Sequence, residues 1–176
     1  VATAAEIGHL LPRGQGIQER VITISGPAIS RKGNYRIPIG TPLRFALEHA
    51  GLAADVSEVF LGGPMMGTAL TSLDIPITKG VSGFIAYNES TSAAQRQPEQ
   101  PCIRCGYCVE ACPMFLNPSR LGQLARVSEF SAMAAEEHLW NCFECGACSY
   151  VCPAHIPLVQ RFRAAKSRLR KESRSP

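Results

Sequence analysis

Two cysteine runs constrain this chain more than any other feature. The first reads Cys102-Ile-Arg-Cys105-Gly-Tyr-Cys108-Val-Glu-Ala-Cys112-Pro113, the second Cys142-Phe-Glu-Cys145-Gly-Ala-Cys148-Ser-Tyr-Val-Cys152-Pro153. All 8 cysteines fall in these runs, and the first hundred residues hold none. A disulfide scaffold would scatter them through a small secreted domain. Structural zinc takes two separated Cys-x-x-Cys pairs in one tetrahedral site. A third cysteine three residues on, twice over, fits it poorly. Three thiolates at this spacing instead wrap three corners of a [4Fe–4S] cube from one loop. The fourth, one turn of helix later, points away to a second cube. The spacing therefore predicts two [4Fe–4S] clusters with crossed ligands. Cys102, Cys105, Cys108 and Cys152 take the first; Cys142, Cys145, Cys148 and Cys112 take the second. One backbone crossing between two clusters holds them close, as an electron path requires, and such a path needs no proton-transfer residue.

The residues between the cysteines suit this reading. Gly106 and Gly146 let each loop bend tightly, and Pro113 and Pro153 turn the chain away. Ile103, Val109, Phe143 and Val151 are expected to exclude water, with Trp140 and Phe143 shielding the second cluster. The four histidines, His9, His49, His138 and His155, share no ligand spacing and read as surface or packing residues. No nucleophile–base pair, paired carboxylates or phosphate loop is present, so no catalytic residue is expected.

The remaining sequence reads as an α+β unit ahead of an all-α unit. Residues 1–19 open on an alanine-rich helix ending near Pro12 and Gly14, expected to be the last helix of a truncated upstream domain. Within 20–88, Arg20–Ser25 alternates as a strand with Ile22 and Ile24 on one face. Tyr35–Ile39 alternates again, and Pro38 marks it as an edge strand. Thr41, Pro42 and Gly51 read as the cap, first position and stop of a helix whose stripe is Leu43, Ala46, Leu47 and Ala50. Strand-like Glu58–Leu61, the turn Gly62–Gly67 and strand-like Gly83–Tyr87 follow. Met65 and Met66 are expected to fill gaps in the core. One sheet with one helix on its face, in this order, is a β-grasp.

Residues 89–101 are polar and aperiodic, and read as a linker. In 102–176, Asn117 and Pro118 start a short helix, Ser131–Trp140 suggests another, and a longer one follows Pro157. That last helix places Leu158, Phe162, Ala165 and Leu169 on one side and the cations opposite. From Pro157 onward the charged residues are Arg161, Arg163, Lys166, Arg168, Arg170, Lys171 and Arg174 against Glu172 alone. The whole chain carries only +4, so the body before this segment is mildly acidic. Such a basic face is ordinarily a solvated face; read functionally, it suits docking of an acidic electron carrier or of an anionic lipid surface, and the overall charge gives no reason to expect nucleic acid.

The chain resembles the C subunit of the Rnf ion-translocating ferredoxin:NAD⁺ oxidoreductase complex. The resemblance is carried by Arg20–Gly26 (RVITISG), Val59–Gly67 (VFLGGPMMG), Leu73–Gly83 (LDIPITKGVSG) and the two cysteine runs, above all Cys142–Gln160 (CFECGACSYVCPAHIPLVQ). It implies a soluble-ligand-binding β-grasp (SLBB) domain at 20–88 and an α-helical ferredoxin-type domain at 102–176. It implies that flavin mononucleotide and NAD(H) belong to an upstream domain absent from this chain. It further implies a peripheral place on the cytoplasmic face of the bacterial inner membrane, against other subunits of the complex and with ferredoxin as a candidate partner. Two other functions fit the same residues. One is the related cobalamin-reducing subunit of diol-utilising microcompartments. The other is a ligand-binding β-grasp with structural or sensory clusters.

Overall fold

A computed structural model describes residues 2–95 and 97–173, in two compact units, Val1–Arg96 and Gln97–Pro176. Arg174, named above among the basic residues, lies outside the described residues.

The first unit starts with helix α1 (Ala2–Leu10) and a single tighter turn over Leu11–Arg13. Its sheet contains β1 (Glu19–Ser25), β2 (Gly33–Pro38), β3 (Val56–Leu61), β4 (Thr68–Ala69) and β5 (Gly83–Asn88), in the order β2-β1-β5-β3-β4. β1 and β5 run parallel at the centre; β1–β2, β3–β5 and β3–β4 are antiparallel. Alternation along β1 puts Ile22 and Ile24 at 0% exposure, under helix α2 (Leu43–His49), which buries Leu43, Ala46 and Leu47. Ile77, Phe84 and Ala86 close this core. This is the expected α+β arrangement of a β-grasp, with Pro38 ending an edge strand where its missing N–H breaks no ladder.

Three details of this unit differ from the sequence reading. Pro42, not Thr41, is the residue before the helix, because the Thr41 hydroxyl donates to the Pro38 carbonyl instead. Met65 and Met66 are exposed rather than packed, since the glycine-rich turn carries them off the sheet. The segment after β5 opens with helix α3 (Glu89–Gln95). It has no apolar period, but Asn88 Oδ1 accepts from the Thr91 amide and hydroxyl, and Ser92 Oγ donates to Glu58 Oε2 at 2.7 Å.

The second unit is helical, with no strand among its described residues: α4 (Tyr107–Glu110), α5 (Pro118–Arg126), α6 (Phe130–Ala135), α7 (Ala147–Tyr150) and α8 (Leu158–Glu172). Asn117 caps α5 by accepting from the Arg120 amide. The cap of α8 comes from elsewhere: Ser149 Oγ, on α7, accepts from the Val159 amide at 2.9 Å. α6 is shorter than expected. Glu136 ends it, His138 takes a left-handed φ of 52°, and a single turn over Leu139–Asn141 leads into the second cysteine run. The core is Leu121, Met133, Leu139, Phe162 and Ala165.

A 40-residue translation relates the two cysteine halves. Arg104 and Glu144 (φ 57° and 62°), Gly106 and Gly146 (both 84°), and Phe115 and His155 (55° and 51°) share left-handed backbones. α4 matches α7, and Leu116 matches Ile156, both buried ahead of α5 and α8. The same spacing in sequence has produced the same loop twice. None of the described helices is long and apolar enough to cross a membrane.

Candidate iron–sulfur centres

Each cysteine run forms a loop, then one turn of helix, then a reversal. Gly106 and Gly146, in the left-handed region, set the start of α4 and α7. A side chain there would be strained whatever the space around it. The single helical turn decides where the fourth cysteine goes. Cys108 and Cys148 lie inside α4 and α7, whereas Cys112 and Cys152 lie just past their ends.

The outcome is two cavities. One is lined by Cys102, Cys105, Cys108 and Cys152, with Ile103, Arg104, Arg126 and Arg161 also on its wall. The other is lined by Cys112, Cys142, Cys145 and Cys148, walled by Leu116, Leu121, Val159 and Phe162 and by Glu144. All eight sulfurs are free thiols. Among the described residues, no three His, Cys, Asp or Glu side chains converge on one ion. The thiols stand instead around the walls of a space, four to each. Every sequence-predicted site residue is therefore brought to a cavity, and each cavity takes three cysteines of one run and the last cysteine of the other.

The two spaces differ in solvent access. The first has a volume of about 50 Å³, and Cys102 and Cys105 on it are exposed. The second has about 20 Å³, and Cys148 on it is buried. Burial pushes the Cys148 thiol up to about 12, and the neighbouring Cys142 and Cys145 add to the shift. Burial also raises Cys142, with Cys112 among its acidic neighbours, and raises Cys108, with Cys152, Cys105 and Cys102 as its neighbours. Cys152 beside Cys108 and Cys112 beside Cys142 are the crossed neighbours, while Cys108 also acts on Cys148, so the two sets lie within electrostatic reach of each other. Backbone N–H groups of Glu144 and Ser149 oppose the shift at Cys142 and Cys148. A thiol held neutral by burial is one that a metal must deprotonate, and four thiolates around one space are the donor set of an iron–sulfur cube.

Most of the expected shields do not close the cavities, although Val151 is half-buried and Ile103 lines the first cavity. Ile103, Val109, Phe143 and Trp140 are all exposed. The Trp140 ring lies under the Arg170 guanidinium, 5.6 Å from its centroid. Water is kept from the second cavity by Leu121, Val159 and Phe162, at 0, 2 and 1% exposure. Their signal is the apolar periodicity of α5 and α8, which sit outside the cysteine runs. The four histidines are exposed and line neither cavity.

Two side chains beside the second cavity carry no distinguishing signal in the sequence. Lys166, which reads as part of the solvated basic face, is 5% exposed. Its ammonium donates to the Cys142 carbonyl and lies 3.1 Å from Glu144 Oε1. Arg163 Nε reaches Glu144 Oε2 at 3.0 Å. Around the first cavity, Arg161 is tied to Glu99 at 2.7 Å.

Residues 21–69 match the model of the SLBB domain, and residues 100–156 match the model of the 4Fe-4S dicluster domain. The chain thus carries an SLBB domain followed by a two-cluster iron–sulfur domain. It is similar to the C subunit of the ion-translocating oxidoreductase complex of Pasteurella multocida, 41% identical over 96% of this chain and 20% of the relative. The same subunit of Cronobacter sakazakii is 42% identical over 97% of this chain and 22% of the relative. That of Yersinia pestis is 43% identical over 97% and 27%. The chain is homologous to one continuous part of this subunit and spans about a fifth to a quarter of the length of these curated relatives.

Proposed function

We propose that this chain is the electron-transfer segment of the C subunit of an ion-translocating oxidoreductase complex, holding two [4Fe–4S] clusters that pass electrons singly between other redox centres of the complex. Cys102, Cys105, Cys108 and Cys152 hold one cluster; Cys142, Cys145, Cys148 and Cys112 hold the other. The observation that carries the reading is the crossed sorting of eight free thiols into two four-cysteine cavities. When bound, each cluster would accept and release one electron.

The protein's own part is positional. α4 and α7 each carry the last cysteine of their run across to the other cavity, so the two centres share one backbone. Leu121, Val159 and Phe162 keep the second centre dry, while the first opens to solvent through Cys102 and Cys105. An exposed centre next to a buried one suits exchange with a partner at the first and storage at the second. On this reading the flavin mononucleotide and NAD(H) sites lie in a part of the full-length subunit outside the matched region. The partners are the other subunits of the complex, with ferredoxin as a further electron donor or acceptor. The place of action is the cytoplasmic face of the inner membrane, reached by docking. The SLBB domain serves as a contact surface.

The test is an anaerobic iron and acid-labile sulfide count with a potentiometric titration. About eight irons and eight sulfides per chain are expected on the two-cube reading, with two reversible one-electron waves. Zinc in place of iron, or sulfur–sulfur bonds with no inorganic sulfide, would refute it.

A further inference from the structure

Lys166 is the only charged residue buried below one-tenth exposure among the described residues. A lysine in such a place is costly unless it is paired. It sits in the middle of α8, and its ammonium is spent on two acceptors beside one cysteine loop: the Cys142 carbonyl and the Glu144 carboxylate. Glu144 is itself held by Arg163 at 3.0 Å and lies on the wall of the second cavity. Cations Lys166 and Arg163 thus meet one anion, Glu144, at the edge of a cavity with little water. Of the three, only the Lys166 side chain is sealed from solvent, at 7% exposure, against 29% for Arg163 and 28% for Glu144, so its charge is the one that solvent screens least.

The equivalent position 40 residues earlier is Arg126, which lines the first cavity but is exposed. The partner position of Glu144 is Arg104, so the first half repeats the cation on the helix but not the acid in the loop. A pair kept only to staple helix to loop would work equally well away from a thiol. Here the ammonium touches the carbonyl of a thiol-bearing residue.

We propose that Lys166 is a positioning residue that sets the reduction potential of the cluster held by Cys142, Cys145, Cys148 and Cys112, its buried charge favouring the reduced form and Glu144 opposing it. The inference rests on the two-cluster reading above. One electron enters from the reductant, the centre becomes more negative by one charge, and no proton moves. A fixed buried cation stabilises that added charge, and a fixed anion destabilises it. Net charge and hydrogen bonds to the surroundings of the sulfurs are the established levers on such potentials.

The experiment is an EPR-monitored titration of the whole chain, loaded anaerobically and reduced by dithionite through viologen mediators. Cys145→Ser marks which wave belongs to the second centre. Lys166→Gln is expected to lower that wave alone, changing its reduced-to-oxidised ratio roughly tenfold at fixed potential, about 59 mV for one electron. Glu144→Gln is expected to raise the same wave, and Lys166→Arg to restore it. Opposite signs separate charge from mere loosening, which would move both variants alike or shed iron. The proposal is overturned if Lys166→Gln keeps its iron and leaves both waves in place. It is equally overturned if the two Gln variants shift the wave in the same direction, or if both lose iron from that centre. An unsubstituted chain without about eight irons would instead overturn the two-cluster reading on which this one stands.

Discussion

Replacing Cys112 by serine separates crossed ligation from the simpler arrangement in which each run keeps its own cluster. By sequence distance Cys112 belongs with Cys108, four residues before it, and not with Cys142, thirty residues after it. The structure argues otherwise. α4 spans Tyr107–Glu110, and four residues of helix advance the chain by about 6 Å. That rise lifts Cys112 out of the cavity lined by Cys102, Cys105 and Cys108 and onto the wall shared with Cys142, Cys145 and Cys148. Cys112→Ser therefore removes one of four donors from the second centre and none from the first. Iron should fall from about eight to about four per chain on the two-cube reading, and the lost EPR signal should be the one that Cys145→Ser also abolishes. Cys152→Ser should do the mirror image, removing the signal that depends on Cys102. The assay is iron and sulfide stoichiometry with EPR on anaerobically purified variants. Loss in Cys112→Ser of the signal that depends on Cys102, with the other intact, would refute the argument from helix geometry.

Two further outcomes follow from local structure. Gly26 has a φ of +118°, and a Cβ there would sit 2.1 Å from the Ala86 carbonyl oxygen at the meeting of β1 and β5. Gly26→Ala should destabilise the SLBB domain by more than about 1–3 kcal/mol, read as a lower urea midpoint for loss of sheet circular dichroism. In protein stripped of iron by chelation, burial holds the Cys148 thiol up at about 12, above its ordinary value of 9.0. Between those values the folded chain keeps a proton that the unfolded chain has lost, so stability is whole below about pH 9 and falls as pH rises towards 12. Denaturation midpoints of the stripped protein at pH 8 and pH 10 should fall in that order, and equal midpoints would show that the thiol is not buried in the folded state.

What was legible in the sequence had a period or a fixed spacing. The crossed sorting of cysteines followed from the spacing of the runs alone, because one helical turn fixes the direction of the fourth thiol. Ile22 and Ile24 followed from alternation, and the cap at Asn117 from its own side chain. What escaped had partners distant in the chain. α3 has no apolar face, and its order depends on Asn88 and on Glu58, 34 residues before Ser92. Phe143 reads as a shield because it adjoins Cys142, yet it is exposed and lines neither cavity, while α5 and α8 cover the second one; Ile103 lines the first cavity but is itself exposed. Lys166 reads as one of the solvated cations of α8, although it follows buried Val159 by seven residues, two turns along the same flank. The flank was readable; that it faced Cys142 and Glu144, more than twenty residues away, was not.

Burial, rather than charge alone, distinguishes the two halves, and Arg126 tests that distinction. Arg126 and Lys166 occupy equivalent places in the 40-residue repeat, each a cation on the helix beside one cavity. If formal charge governed potential, removing either would matter equally. Exposed charges, however, are compensated by water and ions within a Debye length of about 8–10 Å, and a surface cation is worth little to its neighbours. Arg126→Gln should therefore shift only the wave of the first centre, by less than Lys166→Gln shifts the second. Raising salt from low to about 1 M, where the Debye length is about 3 Å, should erase the Arg126 effect and leave most of the Lys166 effect. Titrations at the two ionic strengths decide the matter. An Arg126 shift as large as that of Lys166 and insensitive to salt would mean that solvent does not reach the first cavity as the exposure of Cys102 and Cys105 requires.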